Sequence, residues 1–497
     1  MLNEPLFGER LINAKNGYTI LAGNTTLHSR YNPADEAEKY IHSLSLKNYN
    51  YFILPEPGLG YLAAALKKKF PESKIITLHC SSFFNNKNNS MNGIDPAEDR
   101  GLSWSPLSLN SLEEFLEKNL YDTDAADIKL IEWKPSVDFY GKNYLDLVSR
   151  TVECIRVLHA GKRTAHFFGK RWLRNALKNL SMMQSTVTAA PGSVPVLVCA
   201  AGPSLEDAME EIALWANGSP QPLLMAVSSA ASALLYRGIK PGIVIATDGG
   251  LWAQRHLLEC TRYYKKSSDS KPVYACSVTA LIPSQVKDSP VLFMCDGSLW
   301  QKILLNTIGV TYLTFPQRGT VALSALDLAF TLSNGSIFIC GMDFRNRDLI
   351  THARPYAFDS IPEQNQSRKK PLYSEFFERQ EMIKNGGSHK IYSAWLKSHL
   401  GEYTGRLYSP GTSQFGIPAG KPDLSNNCKS VSFNIKQRNL MTGKDGLIET
   451  LANALDNPAV KDQLGRELGE MLLPNIPKTD KKFTGELKKA LLGLADG

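Results

Sequence analysis

The chain has 497 residues, too many for one hydrophobic core, and about two to four domains are expected. Hydrophobic residues make up 43% and charged residues 21%, an ordinary globular balance. The formal charge of +8 is mild for this length, and the basic residues are scattered rather than interleaved with aromatics, so nucleic acid is not favoured as a partner. The opening MLNEPLFGERLINAKNGYTI carries acidic residues early and no apolar stretch flanked by basic ones, so no secretory signal is expected. No window reaches about 18 apolar residues, so no membrane span is expected. Cysteines 80, 154, 199, 260, 276, 295, 340 and 428 are dispersed without C-x-x-C pairs, and several lie in apolar runs. They read as reduced thiols of a cytoplasmic protein rather than a disulfide framework or a zinc site.

Residues 1–140 read as a small N-terminal α/β domain. Asn32-Pro33-Ala34-Asp35 starts a helix, and Tyr51 to Leu54 forms a short strand. The turn Pro55-Glu56-Pro57-Gly58-Leu59-Gly60 and the helix YLAAALKKKF follow, then a strand over Lys74 to Leu78. Strand, G-x-G and helix in this order suit a dinucleotide or methyl-donor site, but the third glycine is missing, and a tight structural turn is the commoner outcome. Residues 84–100 are polar and turn-rich, hence a loop. Apolar positions from Tyr144 to Leu180 recur at helical spacing, so residues 141–192 read as a linker of one or two long helices ending in a hinge-like connector over 181–193.

Residues 193–405 alternate strand and helix. The run Val194 to Ala200 is apolar on both faces, as in a buried parallel strand. It breaks at Ala201-Gly202-Pro203-Ser204, and a helical pattern begins at Leu205. Ser204 with Asp207 three residues on has the form of a capping box, and a helix N-terminus there suits a phosphate. Strands follow over Pro222 to Val227, leading to Ser228, and Gly242 to Thr247, leading to Asp248-Gly249-Gly250. Further strands are expected at Val273 to Val278, Val291 to Met294 and Val310 to Leu313. Arg318-Gly319-Thr320 opens a long apolar helix, and the strand Ile337 to Cys340 runs into Gly341-Met342-Asp343. The fold class is therefore α/β: a central doubly wound, mostly parallel Rossmann-like sheet, a smaller N-terminal α/β domain and a helical C-terminal region. Residues 345–370 read as a loop, residues 404–436 as irregular, and the tail from Gly446 as helical; 406–497 form the C-terminal region.

Ligands of such sheets sit beyond the carboxyl ends of the strands, where Gly202, Asp248 and Asp343 fall. Ser204 is a helix cap that could also hold a phosphate. Asp248 could hold a ribose hydroxyl or a metal ion, or merely cap the helix LWAQRHLLE, on which His256 reads as exposed. His352 lies nine residues beyond Asp343 in a polar loop; an imidazole there could be a surface residue, or could take a proton from a hydroxyl near neutral pH. Arg354 and Tyr356 could then assist a phosphate leaving group.

These segments carry a family resemblance. LHSRYNPADEAEKY, LPEPGLGYLAAAL, AAGPSLED, SSAASALLYRGIKPGIVIATDGG, RGTVALSALDLAF, CGMDF and THARPYAF resemble the motility accessory factor group of flagellin glycosyltransferases. The central part is also similar to archaeal 6-hydroxymethylpterin pyrophosphokinases and, more distantly, to bacterial sialyltransferases. The resemblance implies transfer of a pseudaminic- or legionaminic-type nonulosonic acid from a CMP-activated donor to Ser or Thr hydroxyls of flagellin. It puts Gly202, Pro203 and Ser204 at the CMP phosphate, Asp248 in the nucleotide pocket and His352 at the acceptor's proton; Ala201, Ser228, Arg318, Gly319 and Thr320 are further candidates for the nucleotide and phosphate, and Asp343 for the chemistry. Arg354 and Tyr356 would stabilise the leaving group. The group often carries a glycine where this chain has Ala200. Two other readings stand beside it: a pyrophosphokinase using ATP and Mg²⁺, with Asp248 and Asp343 as ligands, and a non-catalytic flagellin-binding accessory protein.

Overall fold

The computed structural model describes residues 7–85, 102–120, 123–218, 221–251, 253–267, 269–347, 350–386, 388–403, 405–410, 415–423, 428–438, 442–474, 476 and 482–495. Most of the loop expected over 84–100 lies outside these residues. The chain divides into two compact units, Met1–Ala165 and His166–Gly497.

In the first unit, β1 (Arg10–Ala14), β2 (Gly17–Ala22) and β3 (Thr25–Thr26) form an antiparallel sheet. Helix α1 (Pro33–Ser43) begins where Asn32 Oδ1 accepts the Asp35 amide, with proline in the first turn, where its missing N–H costs nothing. Then come β4 (Tyr51–Pro55), α2 (Tyr61–Lys69), β5 (Lys74–Leu78), β6 (Ser103–Trp104), α3 (Leu112–Leu120), β7 (Ile128–Leu130) and α4 (Lys134–Tyr140). A parallel sheet runs in the order β6-β5-β4-β7. All five residues of β4 are buried, which is why YFILP shows no alternation. The glycine turn after it is structural: the Leu59 amide donates to His28 Nε2 at 3.0 Å, and a Cβ on Gly58 would lie 2.6 Å from that nitrogen. His28 thus fills the place a phosphate would need. Helix α5 (Lys142–Met182) is one continuous element of 41 residues.

The second unit is built on a ten-stranded sheet. Its elements are β8 (Ser185–Ala190), β9 (Val196–Cys199), α6 (Ser204–Ala216), β10 (Leu223–Val227), α7 (Ser228–Tyr236), β11 (Ile243–Ala246), α8 (Gln254–Lys266), β12 (Val273–Ser277), β13 (Val291–Cys295), α9 (Leu299–Thr307), β14 (Tyr312–Thr314), α10 (Val321–Leu332) and β15 (Ile337–Cys340). After them come α11 (Ser360–Asn365), α12 (Leu372–Gly386), α13 (Ser388–His399), β16 (Leu407–Tyr408), β17 (Ser432–Gln437), α14 (Lys444–Ala454), α15 (Lys461–Leu472) and α16 (Phe483–Leu492). The order is β16-β15-β9-β10-β11-β12-β13-β8-β17, with β14 beside β13. All pairings are parallel except that of β17 with β8. The doubly wound, mostly parallel α/β sheet expected from the sequence is present.

Four local expectations differ. The connector over 181–193 contains β8, and the irregular stretch over 404–436 contributes β16 and β17 to the main sheet. The polar segment after Asp343 carries the short helix α11. His256, expected on the surface, is buried on α8 against Tyr356 and Phe358, with ring centroids 5.0 Å from each.

Strands β9, β10, β11 and β15 are buried almost throughout, as are the inner faces of α6, α7 and α10. Each fully buried aliphatic side chain there contributes about 1.5–3 kcal/mol. At the far edge α14 and α15 pack on α9, and both Glu467 oxygens accept its first amides, from Leu299 and Trp300, at 3.0 Å. The chain steps from β9 outward through β13 and then returns through α10 to β15 on the other side of β9. The winding direction therefore reverses between β9 and β15. At such a switch point the loops leaving the two strands diverge and open a crevice. Among the described residues no helix is long and apolar enough to cross a membrane. All eight cysteines are free thiols, five of them buried.

Candidate functional site

The two turns that flank the switch point are packed on each other. Gly202 N–H donates to Gly341 O at 2.7 Å, and Ala200 N–H to Cys340 O at 2.8 Å. Gly341 adopts φ +67° and has no room for a side chain: a Cβ would meet Ala200 O and, at 2.9 Å, Leu205 Cβ. Gly202 is equally confined, since a Cβ would lie against the Asp343 carboxylate and 2.5 Å from Gly341 O.

Ser204 is the first residue of α6, not its cap, and its side chain makes no capping bond. The expected capping box is absent because Asp343 does its work: Oδ2 accepts the Ser204 amide at 2.8 Å. Asp207, the supposed box partner, is ion-paired with Arg347, whose guanidinium also donates to Pro203 O at 3.1 Å. The backbone of the following loop is tied to the same helix end. Ala353 N–H donates to Ala201 O at 2.8 Å and Arg354 N–H to Glu206 Oε1 at 2.9 Å. The positive end of α6 is thus already matched with carboxylates of the chain itself, Glu206, Asp207 and Asp343. A phosphate on Ser204 would face like charge at a terminus whose dipole is spent.

A cavity of ≈ 160 Å³ opens over these turns. Ala201, Gly202, Thr320, Asp343 and His352 line it, as the sequence suggested, and so do Ser229, Arg345, Thr351 and His389, which the sequence reading missed. Two further helices begin on its wall. Helix α7 starts after Val227 and α10 after Thr320, and neither has a side-chain cap or an acidic residue in its first turn. The first-turn amides of an α-helix lack intrahelical partners, so these ends, without acidic side chains of their own, suit an anion better than that of α6 does. Ser228 is buried at the start of α7, and its neighbour Ser229 faces the cavity.

Asp343 is 6% exposed, and its Oδ1 has no hydrogen-bond partner in the structure, an expensive state for a carboxylate oxygen that a substrate hydroxyl would relieve. His352 stacks flat on Tyr356, with centroids 4.1 Å apart and planes at 10°, and its Nδ1 lies 3.0 Å from Thr351 Oγ1. His389 is half-buried on α13; burial lowers its pKa, and its Nδ1 has no hydrogen-bond partner.

Other expected site residues lie elsewhere. Arg318 does not reach into the cavity. Its Nε donates to Asp327 Oδ2 at 2.7 Å, its guanidinium covers Trp395 at 4.7 Å, and Tyr403 donates to the same carboxylate at 2.6 Å. Gly319, at φ +74°, packs against the ring of Tyr392. Arg354 lies over Phe376 and 3.7 Å from Asp359, and neither it nor Tyr356 is a lining residue. Asp248 is exposed and accepts the Gly250 amide at 2.7 Å. It stands at the end of β11, two strand spacings or roughly 10 Å from β9, and does not line the cavity. It is near Tyr392, whose hydroxyl pKa is raised by burial and then by the Asp248 charge. Among the described residues no group of three or more His, Cys, Asp or Glu side chains is placed to hold a metal ion.

A family model described as 6-hydroxymethylpterin diphosphokinase MptE-like matches residues 170–348, which contain α6, α7, α10 and the turns that carry Gly202 and Asp343. Residues 170–348 are thus similar to that family. Over 98% of this chain and 86% of the other, the fold is that of the MAf glycosyltransferase from Magnetospirillum magneticum AMB-1, with a TM-score of 0.58 and 12% identity. The resemblance read from the sequence is supported on both counts. Two uncharacterized proteins of Treponema pallidum (strain Nichols) are also similar. One is 27% identical over 294 residues, 59% of this chain and 63% of its own length. The second is 25% identical over 365 residues, 70% of this chain and 61% of its own length. The matched segment, 170–348, thus carries most of the cavity, while Thr351, His352 and His389 come from the segment that follows it.

Proposed function

We propose that the chain is a cytoplasmic glycosyltransferase that moves a nonulosonic acid of the pseudaminic or legionaminic type from a CMP-activated donor to Ser or Thr hydroxyls of flagellin. The observation that carries this reading is the switch-point cavity, where His352 and an unpartnered Asp343 oxygen share space with two uncapped helix N-termini. The donor phosphate sits at the first turns of α7 and α10, beside Ser229 and Thr320, rather than on Ser204. The bond from the anomeric carbon to the phosphate oxygen breaks, its electron pair leaves with CMP, and the acceptor oxygen bonds to that carbon. The acceptor hydroxyl gives its proton to His352. With Nδ1–H donating to Thr351 Oγ1, Nε2 carries the lone pair, and the stacked Tyr356 ring favours the imidazolium that forms. The Asp343 oxygen accepts a hydroxyl of sugar or acceptor. Asp248 holds the ribose, reached along α13. Arg345, which makes no ion pair among the described residues, meets the donor carboxylate at the mouth.

The experiment is intact-mass analysis of flagellin incubated with the chain and a CMP-nonulosonate. One sugar mass per modified site is expected, and His352→Ala abolishes it while CMP binding survives. An unchanged flagellin mass with the native chain sinks the reading.

The matched family description favours one second reading, a Mg²⁺-dependent pyrophosphokinase. It needs carboxylates around the metal, but Asp343 faces the cavity while Asp248 stands two strands away. Calorimetry with CMP and with ATP, each with and without Mg²⁺, separates the two. A non-catalytic flagellin-binding role predicts instead that flagellin capture survives joint replacement of Ser204 and His352 with flagellin modified as before.

A further inference from the structure

A second imidazole in the cavity is left without work by that mechanism. His389 is the second residue of α13, and three features fix where it stands. It lines the cavity shared by Asp343, Arg345 and His352. One turn further along α13, Tyr392 packs against Gly319, and beyond it Trp395 stacks on Arg318, so the helix runs beside the turn that opens α10. Its Nδ1 is buried without a hydrogen-bond partner. His389 has a nitrogen left over beside the α10 N-terminus, where amides already call for an anion.

We propose that His389 is the side-chain ligand of the nucleotide's phosphate, donating a ring N–H to a phosphate oxygen as the bond to the sugar breaks. The inference rests on the nucleotide reading above and adds to it a division of labour. His352 receives the acceptor's proton, and His389 meets the charge that departs with CMP. The charged and titratable groups that share its cavity are Asp343, Arg345 and His352, with Lys390 and Tyr392 next to it on its own helix. Of these, Arg345 and Lys390 leave the surroundings hospitable to phosphate. Burial lowers the pKa of the ring and so favours its neutral form, which carries one N–H.

The test compares CMP with cytidine, which lacks only the phosphate, by calorimetric titration of the full chain and its His389→Gln and His389→Ala variants. A charge-assisted hydrogen bond predicts that the alanine variant binds CMP about tenfold to a hundredfold more weakly and the glutamine variant, whose amide still donates, less so, with cytidine affinity within about twofold of the native chain. Thermal melting of each variant checks folding, and glutamine preserves the bulk of the ring. A CMP-to-cytidine ratio that is unchanged by both variants overturns the proposal, as does equal weakening of both ligands, which marks a merely structural residue. If the native chain binds neither ligand, the nucleotide reading itself falls, a result distinct from either of these.

Discussion

Replacing Gly202 by alanine tests the tightest contact at the switch point. The new methyl would meet the Asp343 carboxylate and stand 2.5 Å from Gly341 O, far inside van der Waals contact. Neither neighbour can retreat freely. Gly341 O is held by the Gly202 amide itself at 2.7 Å, and Asp343 Oδ2 by the Ser204 amide at 2.8 Å. Overpacking a dense interior costs about 1–3 kcal/mol. If the carboxylate swings away, the Ser204 amide loses its partner, worth about 1–3 kcal/mol more. Partial relaxation of each makes about 3 kcal/mol the expected loss. Urea unfolding followed by circular dichroism reads it as a lowered midpoint at constant slope. Gly485→Ala in α16, where no atom lies within 4 Å of the added Cβ, is the control and is expected to be neutral or stabilising by up to about 1 kcal/mol. A Gly202→Ala loss below about 0.5 kcal/mol would refute the packing of the two turns argued here.

Arg318→Met removes the partner of the largely buried Asp327, so it is expected to lower stability by about 2 kcal/mol, discounted for partial exposure, while CMP affinity measured by calorimetry stays unchanged; a selective loss of CMP binding would return Arg318 to the site. His28 titrates at about 4 in the folded chain because burial disfavours its charged form, against 6.5 as an ordinary histidine. The unfolded chain therefore binds a proton first as pH falls. Stability present above pH 6.5 is lost down to about pH 4, to a total of about 3 kcal/mol. His28→Gln is expected to flatten that part of the pH–stability profile, and an unaltered slope would contradict it. Asp343→Ala leaves the Ser204 amide unpaired and is expected to cost about 2 kcal/mol by chemical unfolding, whereas Asp343→Asn, which can still accept that bond, costs less than half as much.

Much of this architecture was legible because buried parallel strands announce themselves. VLVC in β9 and IFIC in β15 are apolar on both faces, and each runs into a glycine turn. The strand ends therefore led to Gly202 and Asp343. What they could not reveal was that the two turns serve each other. Asp343 caps a helix that begins 139 residues earlier, so local pattern assigned the cap to Ser204. Arg318 was misplaced for a related reason. Its partner Asp327 lies within a long, largely apolar helix, and only the fold turns that carboxylate toward the guanidinium. Strands β8 and β17 escaped notice because STVTAA and SFNIKQ lack a strong apolar run and pair across about 250 residues, Thr188 with Asn434 among them. His389 stands at the start of α13, and it lines the cavity only because that helix lies against the turn before α10.

In the proposed mechanism the anion belongs to the starts of α7 and α10. A crystal structure of the chain with CMP tests this placement directly. Phosphate oxygens are expected at about 2.7–3.2 Å from first-turn amides of those two helices, with His389 as the side-chain donor. Phosphate bound instead to the Ser204 amide, displacing Asp343, or CMP held away from the β9–β15 crevice, would contradict it.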